Sequence, residues 1–215
     1  LEHSYEGRST DRNLTVVPTA ELVDVGDTDI VLSRDGSDGR LYYRLALRYA
    51  PTDFELEPRD QGFVVQRSYE AIDDDADVVR NDDGTWTVRA GARVRVRLTM
   101  VADSRRTHVA LIDPIPAGFE ILNPALATTE PIPQVDPSDT SSNRFWWSRW
   151  FDHQNLRDDR AEAFSTWLRA GSYEYTYVAR ATTPGTFVTP PTRAEQIYEP
   201  EVFGRSASTT VTIQD

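Results

Sequence analysis

The stretch that decides the fold is Ala92–Met100, which reads Ala-Arg-Val-Arg-Val-Arg-Leu-Thr-Met. Apolar residues stand at every second position, as Val94, Val96 and Leu98, and arginines stand between them. Because successive side chains of a β-strand point to opposite faces, this period predicts a half-buried antiparallel strand. We interpret the arginines as a solvated outer face opposite acidic residues of a neighbouring strand, in preference to an anion-binding site.

Further strands are predicted along the rest of the chain. The candidates are Ile30–Leu32, Leu41–Tyr49, Gly62–Tyr69, Thr85–Arg89, Thr107–Ile112, Tyr173–Ala181 and Ser208–Ile213. Turn signals separate them, at Asp35–Gly39, Asn81–Gly84, Ala90-Gly91, Ala170-Gly171 and Pro184-Gly185. Short strands with turns about every 8–12 residues favour an all-β, antiparallel β-sandwich over a doubly wound sheet.

Two regions leave their structure open. Asn155–Leu168 has apolar residues that fit one face of a helix, yet Arg160–Phe164 equally fits a strand that leads into Tyr173. Asp113–Gln134 is rich in proline and predicts a loop, which continues into the polar stretch Ser138–Asn143.

Composition excludes several classes of function. The net charge of −12 argues against binding to nucleic acid or to anionic lipid headgroups. The chain has no Lys for a Schiff base and no Cys for a thiolate nucleophile or a Cys-ligated metal. No apolar run reaches the ~20 residues of a membrane span, and no signal peptide opens the sequence. We therefore expect a cytosolic protein or a fragment whose targeting segment lies elsewhere.

The residues that could carry chemistry form no recognisable active site. The histidines His3, His108 and His153 show no spacing typical of a metal site. The acidic run Asp73–Asp77 fails the calcium-loop pattern, because Val78 and Gly84 stand where Gly and Glu are needed. There is no nucleophile elbow and no phosphate-binding glycine loop. The sequence predicts a non-enzyme without a cofactor or metal.

The last third of the chain carries a family resemblance. Ala179–Val188, which reads Ala-Arg-Ala-Thr-Thr-Pro-Gly-Thr-Phe-Val, and Pro190–Ser206 resemble the C-terminal signature of bacterial alpha-2-macroglobulins. Leu41–Arg44, Tyr49–Thr52 and Val109–Glu120 are similar to the same family. The resemblance covers most of the chain, with the segments in the family's order.

The resemblance implies two parts. Residues 1–51 look like the C-terminal part of a CUB domain, itself a β-sandwich. Residues 52–215 look like the last macroglobulin-like domain, an antiparallel sandwich of immunoglobulin-like type. Composition places a boundary at the same point, near Ala50-Pro51-Thr52, where a predicted strand ends.

The family's function implies a role for one residue pair. Its members trap proteases: cleavage of a bait region exposes a Cys-x-Glu-Gln thioester, which acylates the protease. This chain has no Cys, so Glu195-Gln196 is not that motif. In the family, a Met-Tyr pair of the last domain covers the thioester until cleavage. That pair matches Ile197-Tyr198, with Ile in place of Met.

The resemblance also implies partners and a location. The partners are the thioester domain of the same parent chain and, through the whole protein, the target proteases. The parent is expected in the periplasm, often as a lipoprotein with its anchor at the far N-terminus, in a role of host defence. The alternative is a purely structural role, in which Ile197-Tyr198 packs a loop between two prolines and the final strand.

Two other functions stay open. The aromatic cluster Phe145–Phe151 favours an adhesion or ligand-binding sandwich, which predicts a concave aromatic surface near Trp146, Trp147 or Trp150. An enzyme would instead require two carboxyl groups that converge in a cleft with perturbed pKa values. The protease trap predicts Ile197-Tyr198 on an exposed loop without core contacts of its own.

Overall fold

The computed structural model describes residues 15–17, 31, 33, 42–46, 54–124 and 150–215. The chain divides into two units, Leu1–Ala50 and Pro51–Asp215, and only the second is described at length. Of the predicted strand Leu41–Tyr49, residues 42–46 are described and are not in a strand, so the prediction is wrong for them. The strand predicted at Ile30–Leu32 is described only at Val31, and the turn at Asp35–Gly39 lies outside the described residues.

Fourteen strands and one 3-10 turn, Asp75–Asp77, lie in the described ranges. The strands are β1 (Arg59–Gln61), β2 (Phe63–Ala71), β3 (Val78–Arg80), β4 (Trp86–Arg89), β5 (Arg93–Ala102), β6 (Arg106–Pro114), β7 (Phe119–Ile121), β8 (His153–Leu156), β9 (Arg160–Leu168), β10 (Gly171–Ala181), β11 (Gly185–Thr189), β12 (Arg193–Gln196), β13 (Glu199–Arg205) and β14 (Thr209–Gln214). The all-β class predicted from the sequence is confirmed.

The strands form three sheets in the described part of the chain. A six-stranded sheet has the order β1-β13-β12-β6-β9-β8, and two four-stranded sheets have the orders β2-β5-β10-β7 and β11-β14-β4-β3. The strand pairs are antiparallel except for β14 with β4, which is parallel. The inner faces of the three sheets contribute to one apolar core, as in a β-sandwich.

Strand β5 is the centre of its sheet and confirms the alternation that predicted it. Val94, Val96 and Leu98 are buried, and β5 pairs along its length with β2 and β10. On the outer face, Arg97 donates to Glu70 of β2 at 2.6 Å and to Glu174 of β10. The arginines therefore pair with acidic residues of the neighbouring strands, as the sequence predicted.

The ambiguous stretch Asn155–Leu168 is a hairpin of β8 and β9, and the helical alternative is wrong. Its alternation of buried and exposed residues changes phase near the end of β9, where Thr166 and Trp167 are both exposed between buried Ser165 and Leu168. That phase change puts apolar residues at a helix-like spacing although the backbone is extended.

The loop predicted at Asp113–Gln134 begins later than expected. Asp113 and Pro114 end β6, and Phe119–Ile121 form β7, while residues 125–134 lie outside the described ranges. Asp113 is buried and belongs to the six-stranded sheet. A carboxylate inside a strand interior needs polar partners, which apolar periodicity does not reveal.

Strands β13 and β2, which belong to different sheets, approach each other closely at Gly204. A Cβ atom at Gly204 of β13 would lie 2.0 Å from the backbone oxygen of Phe63 in β2. Only glycine lets the two backbones meet at this distance.

Candidate functional site at the β12–β13 hairpin

Ile197 and Tyr198 form the two-residue turn that joins β12 to β13. The register between the strands shifts between Glu195 and Gln196, and Gln196 then pairs with Glu199 across the base of the turn. The amide Nε2 of Gln196 donates to Oε2 of Glu199 at 2.7 Å. A bulge and a side-chain hydrogen bond thus set the geometry of the hairpin tip.

The two side chains of the tip are exposed and apolar. Ile197 is 47% exposed and Tyr198 is 77% exposed. Neither belongs to the core cluster of the described residues. The pair therefore lies at an exposed turn, and the shielding role stays a prediction.

The tip rests on the beginning of strand β6 through His108. The backbone N–H of Ile197 donates to the carbonyl oxygen of His108 at 2.9 Å. The ring of Tyr198 meets the ring of His108 edge to face, with centroids 5.0 Å apart and an interplanar angle of 78°. Within the described ranges, this backbone bond and this ring contact connect the tip to β6.

At the other end of β6 lies a buried polar network centred on Asp113. Its carboxylate accepts hydrogen bonds from Arg67 Nη1 at 2.8 Å, from the Thr192 hydroxyl at 2.6 Å and from the Tyr177 hydroxyl at 2.6 Å. Asp113 and Thr192 are completely buried, and the Arg67 side chain is 3% exposed. The network ties β2, β6 and β10 to the residue before β12.

The charges of this network shift the pKa values of its members. Burial alone lowers the pKa of Arg67, but Tyr69 and the Asp113 carboxylate more than reverse this, so its pKa lies above its ordinary value. Burial raises the pKa of Tyr177 well above its ordinary value, and the charge of Asp113 adds to the effect. Both shifts favour a charged Arg67 guanidinium and a neutral Tyr177 phenol at neutral pH, so both side chains act as hydrogen-bond donors to Asp113.

Tyr69 lies beside this network but does not join it fully. Burial raises its pKa to about 12. The Tyr69 hydroxyl lies close to the Thr189 hydroxyl, which lowers the pKa of Tyr69 and so offsets part of the effect of burial. Neither hydroxyl oxygen has a hydrogen bond of acceptable geometry among the described residues. Nη2 of Arg67 is also buried without a partner among the described residues. No local sequence pattern predicts this cluster, because its members come from four segments that are distant in the sequence.

The carboxylates that could suggest an enzyme are engaged in ion pairs. Glu162 accepts hydrogen bonds from Arg160, Asn155 and Arg157. Burial raises the pKa of Glu162, but these bonds outweigh it and lower the pKa to about 2. A group that stays ionised at neutral pH cannot donate a proton as a general acid. Glu162 therefore does not supply the general acid that such a carboxyl pair requires.

Three residues of the acidic run Asp73–Asp77 also make ion pairs or hydrogen bonds within the domain. Asp73 pairs with Arg93, and Asp77 pairs with Arg89 at 2.6 Å. Asp74 caps the 3-10 turn by accepting from the N–H of Ala76 at 3.0 Å. Within the described ranges, no group of three or more His, Asp or Glu residues is arranged to hold a metal ion.

The described part of the aromatic cluster packs onto strand β10. Trp150 donates from Nε1 to the backbone oxygen of Glu174 at 2.8 Å, and its ring contacts Tyr173 and Phe151. Trp150 and Phe151 are half-buried, which is typical of a loop anchor. Phe145, Trp146 and Trp147 lie outside the described residues, so the concave surface predicted there is not tested.

His153, the other histidine among the described residues, lies on β8, two strands from β6 in the six-stranded sheet. Its ring stacks on Phe164, with centroids 6.2 Å apart, and hydrogen-bonds Asn155. His3 lies outside the described residues. None of the residues that the structure describes forms a helix with the length and apolarity needed to span a membrane.

Comparison with known proteins places most of the described region in one family. Residues 62–201 match the family model of the bacterial alpha-2-macroglobulin MG10 domain. The chain is 26% identical over 196 residues to the alpha-2-macroglobulin homolog of Nostoc sp.; the aligned region covers 88% of this chain and 10% of the relative. It is also 30% identical over 196 residues to the circularly permutated Ras protein 2 of Dictyostelium discoideum, covering 91% of this chain and 4% of that protein.

A solved structure has the same fold. Trypsin-activated alpha-2-macroglobulin from Escherichia coli matches with a TM-score of 0.60 and 22% identity, over 74% of this chain and 11% of that one. The chain thus spans between 4% and 10% of the length of the two curated relatives described above.

Proposed function

We propose a function from one premise: this chain belongs to the bacterial alpha-2-macroglobulin family, whose MG10 domain model matches residues 62–201. Residues 52–215 act as the non-catalytic last macroglobulin-like domain of a longer, protease-trapping chain. Residues 1–51 are the C-terminal part of its CUB domain. The domain packs on the thioester domain of the same parent chain and shields the thioester until the bait region is cleaved.

The observation that carries the proposal is the exposed apolar turn at Ile197-Tyr198. Neither side chain is buried in the core of the domain, since Ile197 is 47% exposed and Tyr198 is 77% exposed. A second surface that covers them removes that apolar area from water. The tip is therefore suited to contact another domain.

The chemistry of a thioester explains why this contact would be apolar. Water hydrolyses a thioester, so a surface that excludes water from it prolongs its life. The flat ring of Tyr198 covers area with little conformational freedom to lose, and its hydroxyl can orient on a polar neighbour. Ile197 stands where the family has Met, and its branched side chain is stiffer but equally apolar.

The proposal also assigns partners and a location to the parent protein. It meets its target proteases through the full-length chain, and this domain contributes no catalytic group. The parent acts in the periplasm, as a lipoprotein anchored through its far N-terminus. Within the described ranges the carboxylates of Asp113 and Glu162 are bound in ion pairs, which supports a role without catalysis.

The test uses the full-length parent protein and methylamine, a small amine that attacks an accessible thioester, forms an amide with its acyl group and releases the Cys thiol. The variants are Ile197→Ala and Tyr198→Ala. A matched control is Val188→Ala on β11, because Val188 is 48% exposed and Ile197 is 47% exposed. We expect Tyr198→Ala to react at least about tenfold faster than wild type, equivalent to ~1.4 kcal/mol of lost protection. We expect Val188→Ala to react at the wild-type rate.

Two results would overturn the proposal. Wild-type protein that incorporates no methylamine, even when protease is added in the presence of methylamine, has no thioester to shield. Equal rates for wild type and both tip variants, with proteins of unchanged thermal midpoint, mean that the tip covers nothing reactive.

A further inference from the structure

The pairing of β6 with β9 is interrupted at one residue, His108. Thr107 pairs with Trp167 and Val109 pairs with Ser165 in the same register, but His108 and Thr166 between them do not pair. His108 has a φ of 51°, in the left-handed region that side chains with a Cβ rarely adopt. Among the described residues, only Phe54 shares this feature without being glycine.

The left-handed backbone at His108 lies directly beneath the hairpin tip. Gln196 is the last residue of β12 to pair with β6, opposite Val109. The bond from the N–H of Ile197 to the carbonyl oxygen of His108, at 2.9 Å, extends this contact one residue into the turn. The carbonyl of His108 therefore bonds to the tip at the one residue where the pairing of β6 with β9 is interrupted.

The imidazole ring of His108 contacts the phenol ring of Tyr198. Its centroid lies 5.0 Å from that of the phenol ring, at 78°. Edge-to-face contacts of this kind are favourable and directional. Since Tyr198 is otherwise largely in solvent, this contact selects among the orientations that its side chain can take.

We propose that His108 is a positioning residue of the shielding turn. Its backbone oxygen fixes Ile197, and its ring orients Tyr198 towards the thioester domain before the two domains meet. Such preorganisation strengthens a contact by removing the loss of side-chain freedom on docking. The inference rests on the proposed function, because it assigns His108 a part in the same contact.

The experiment measures methylamine incorporation in the full-length parent. His108→Asn removes the ring and keeps a residue that tolerates a positive φ. His108→Tyr keeps an aromatic ring at the position. The matched control is His153→Asn, which removes another exposed histidine that stacks on an aromatic ring, Phe164, elsewhere in the same sheet. Each variant is also made together with Tyr198→Ala.

We expect His108→Asn to react several-fold faster than wild type and more slowly than Tyr198→Ala. We expect His108→Tyr and His153→Asn to stay within twofold of wild type. In the Tyr198→Ala background, His108→Asn should add less than twofold, because a positioning residue has no effect once the residue it positions is gone.

The possible failures are distinguishable. If Tyr198→Ala accelerates the reaction and His108→Asn does not, the positioning role is overturned and the shielding role stands. If His108→Asn accelerates the reaction equally with and without Tyr198, it acts by loosening the domain, and the inference fails. If neither variant accelerates the reaction, the shielding proposal itself fails, and the role of His108 fails with it.

Discussion

Strands β6 and β12 hold two contrasting regions at their opposite ends. At one end, Asp113 of β6 and Thr192 before β12 meet in a buried polar network. At the other, His108 of β6 and the turn after β12 meet at an exposed tip. The hydrogen bonds of the first region are made within the domain, whereas the second region has exposed apolar side chains. The same strand pair thus connects a region that stabilises the domain with the region that we propose contacts another domain.

The contrast has a physical basis in burial. A charge that is removed from water must be matched by partners within the fold, and each partner becomes indispensable once the charge is buried. A side chain at a hairpin tip has water as its alternative partner, so its loss changes the folded state little. Mutations at the two ends should therefore differ most clearly in the free energy of unfolding.

The largest expected effect on stability follows from Asp113→Ala. This change leaves the Arg67 guanidinium buried without a counter-charge, which costs about 3–5 kcal/mol of unfolding free energy. Urea denaturation followed by tryptophan fluorescence measures it. Asp159→Ala serves as the control, since Asp159 pairs with Arg160 while 69% exposed and should cost less than ~1 kcal/mol. Similar losses for both variants would contradict the difference expected between a buried and an exposed ion pair.

A smaller difference in the free energy of unfolding is expected between variants of two buried tyrosines, one in the network and one beside it. Tyr177→Phe removes a 2.6 Å hydrogen bond to the Asp113 carboxylate and should destabilise by about 1.5–3 kcal/mol. Tyr69→Phe removes a hydroxyl that has no well-formed hydrogen bond and should be neutral or slightly stabilising, within about 0.5 kcal/mol. The same urea titration compares them. If Tyr69→Phe costs as much as Tyr177→Phe, the Tyr69 hydroxyl is bonded in solution, and the network is larger than described above.

The smallest expected effect belongs to the tip. Tyr198→Ala should change the free energy of unfolding by less than about 0.5 kcal/mol, because the ring is 77% exposed. The measurement is again the urea midpoint, with the slope of the transition checked for a change in cooperativity. A loss above ~1.5 kcal/mol would make Tyr198 a structural residue and erase the difference between the two ends of β6.

The longer strands were predictable because one side of each faces the core. The alternation in β5, and the glycine turns at Gly84 and Gly91, belong to the local sequence and needed no tertiary information. Strands such as β12, Arg-Ala-Glu-Gln, were missed, because four residues with two charges carry no apolar period. Pairing with β6 and β13 makes this segment a strand, and that pairing is not local.

The candidate site could be predicted only in part. Ile197-Tyr198 came from a family resemblance and not from the residues alone, since an apolar pair in a turn has many uses. The positive φ of His108 has no sequence signal, because histidine is not a residue that marks left-handed backbone as glycine does. The Asp113 network joins residues from positions 67 to 192, and only the folded chain brings them together.

The parallel pairing of β14 with β4 has a consequence for the order in which the chain is made. Val211 pairs with Trp86 and Ile213 with Val88, so one edge of β4 has no partner until the ribosome has released residues beyond 209. At about 5–20 residues per second, the interval from β4 to β14 lasts several seconds. During that time the nascent chain exposes an unpaired strand edge, the kind of surface that chaperones cover. Closure of the third sheet is accordingly a late event in the biosynthesis of this domain.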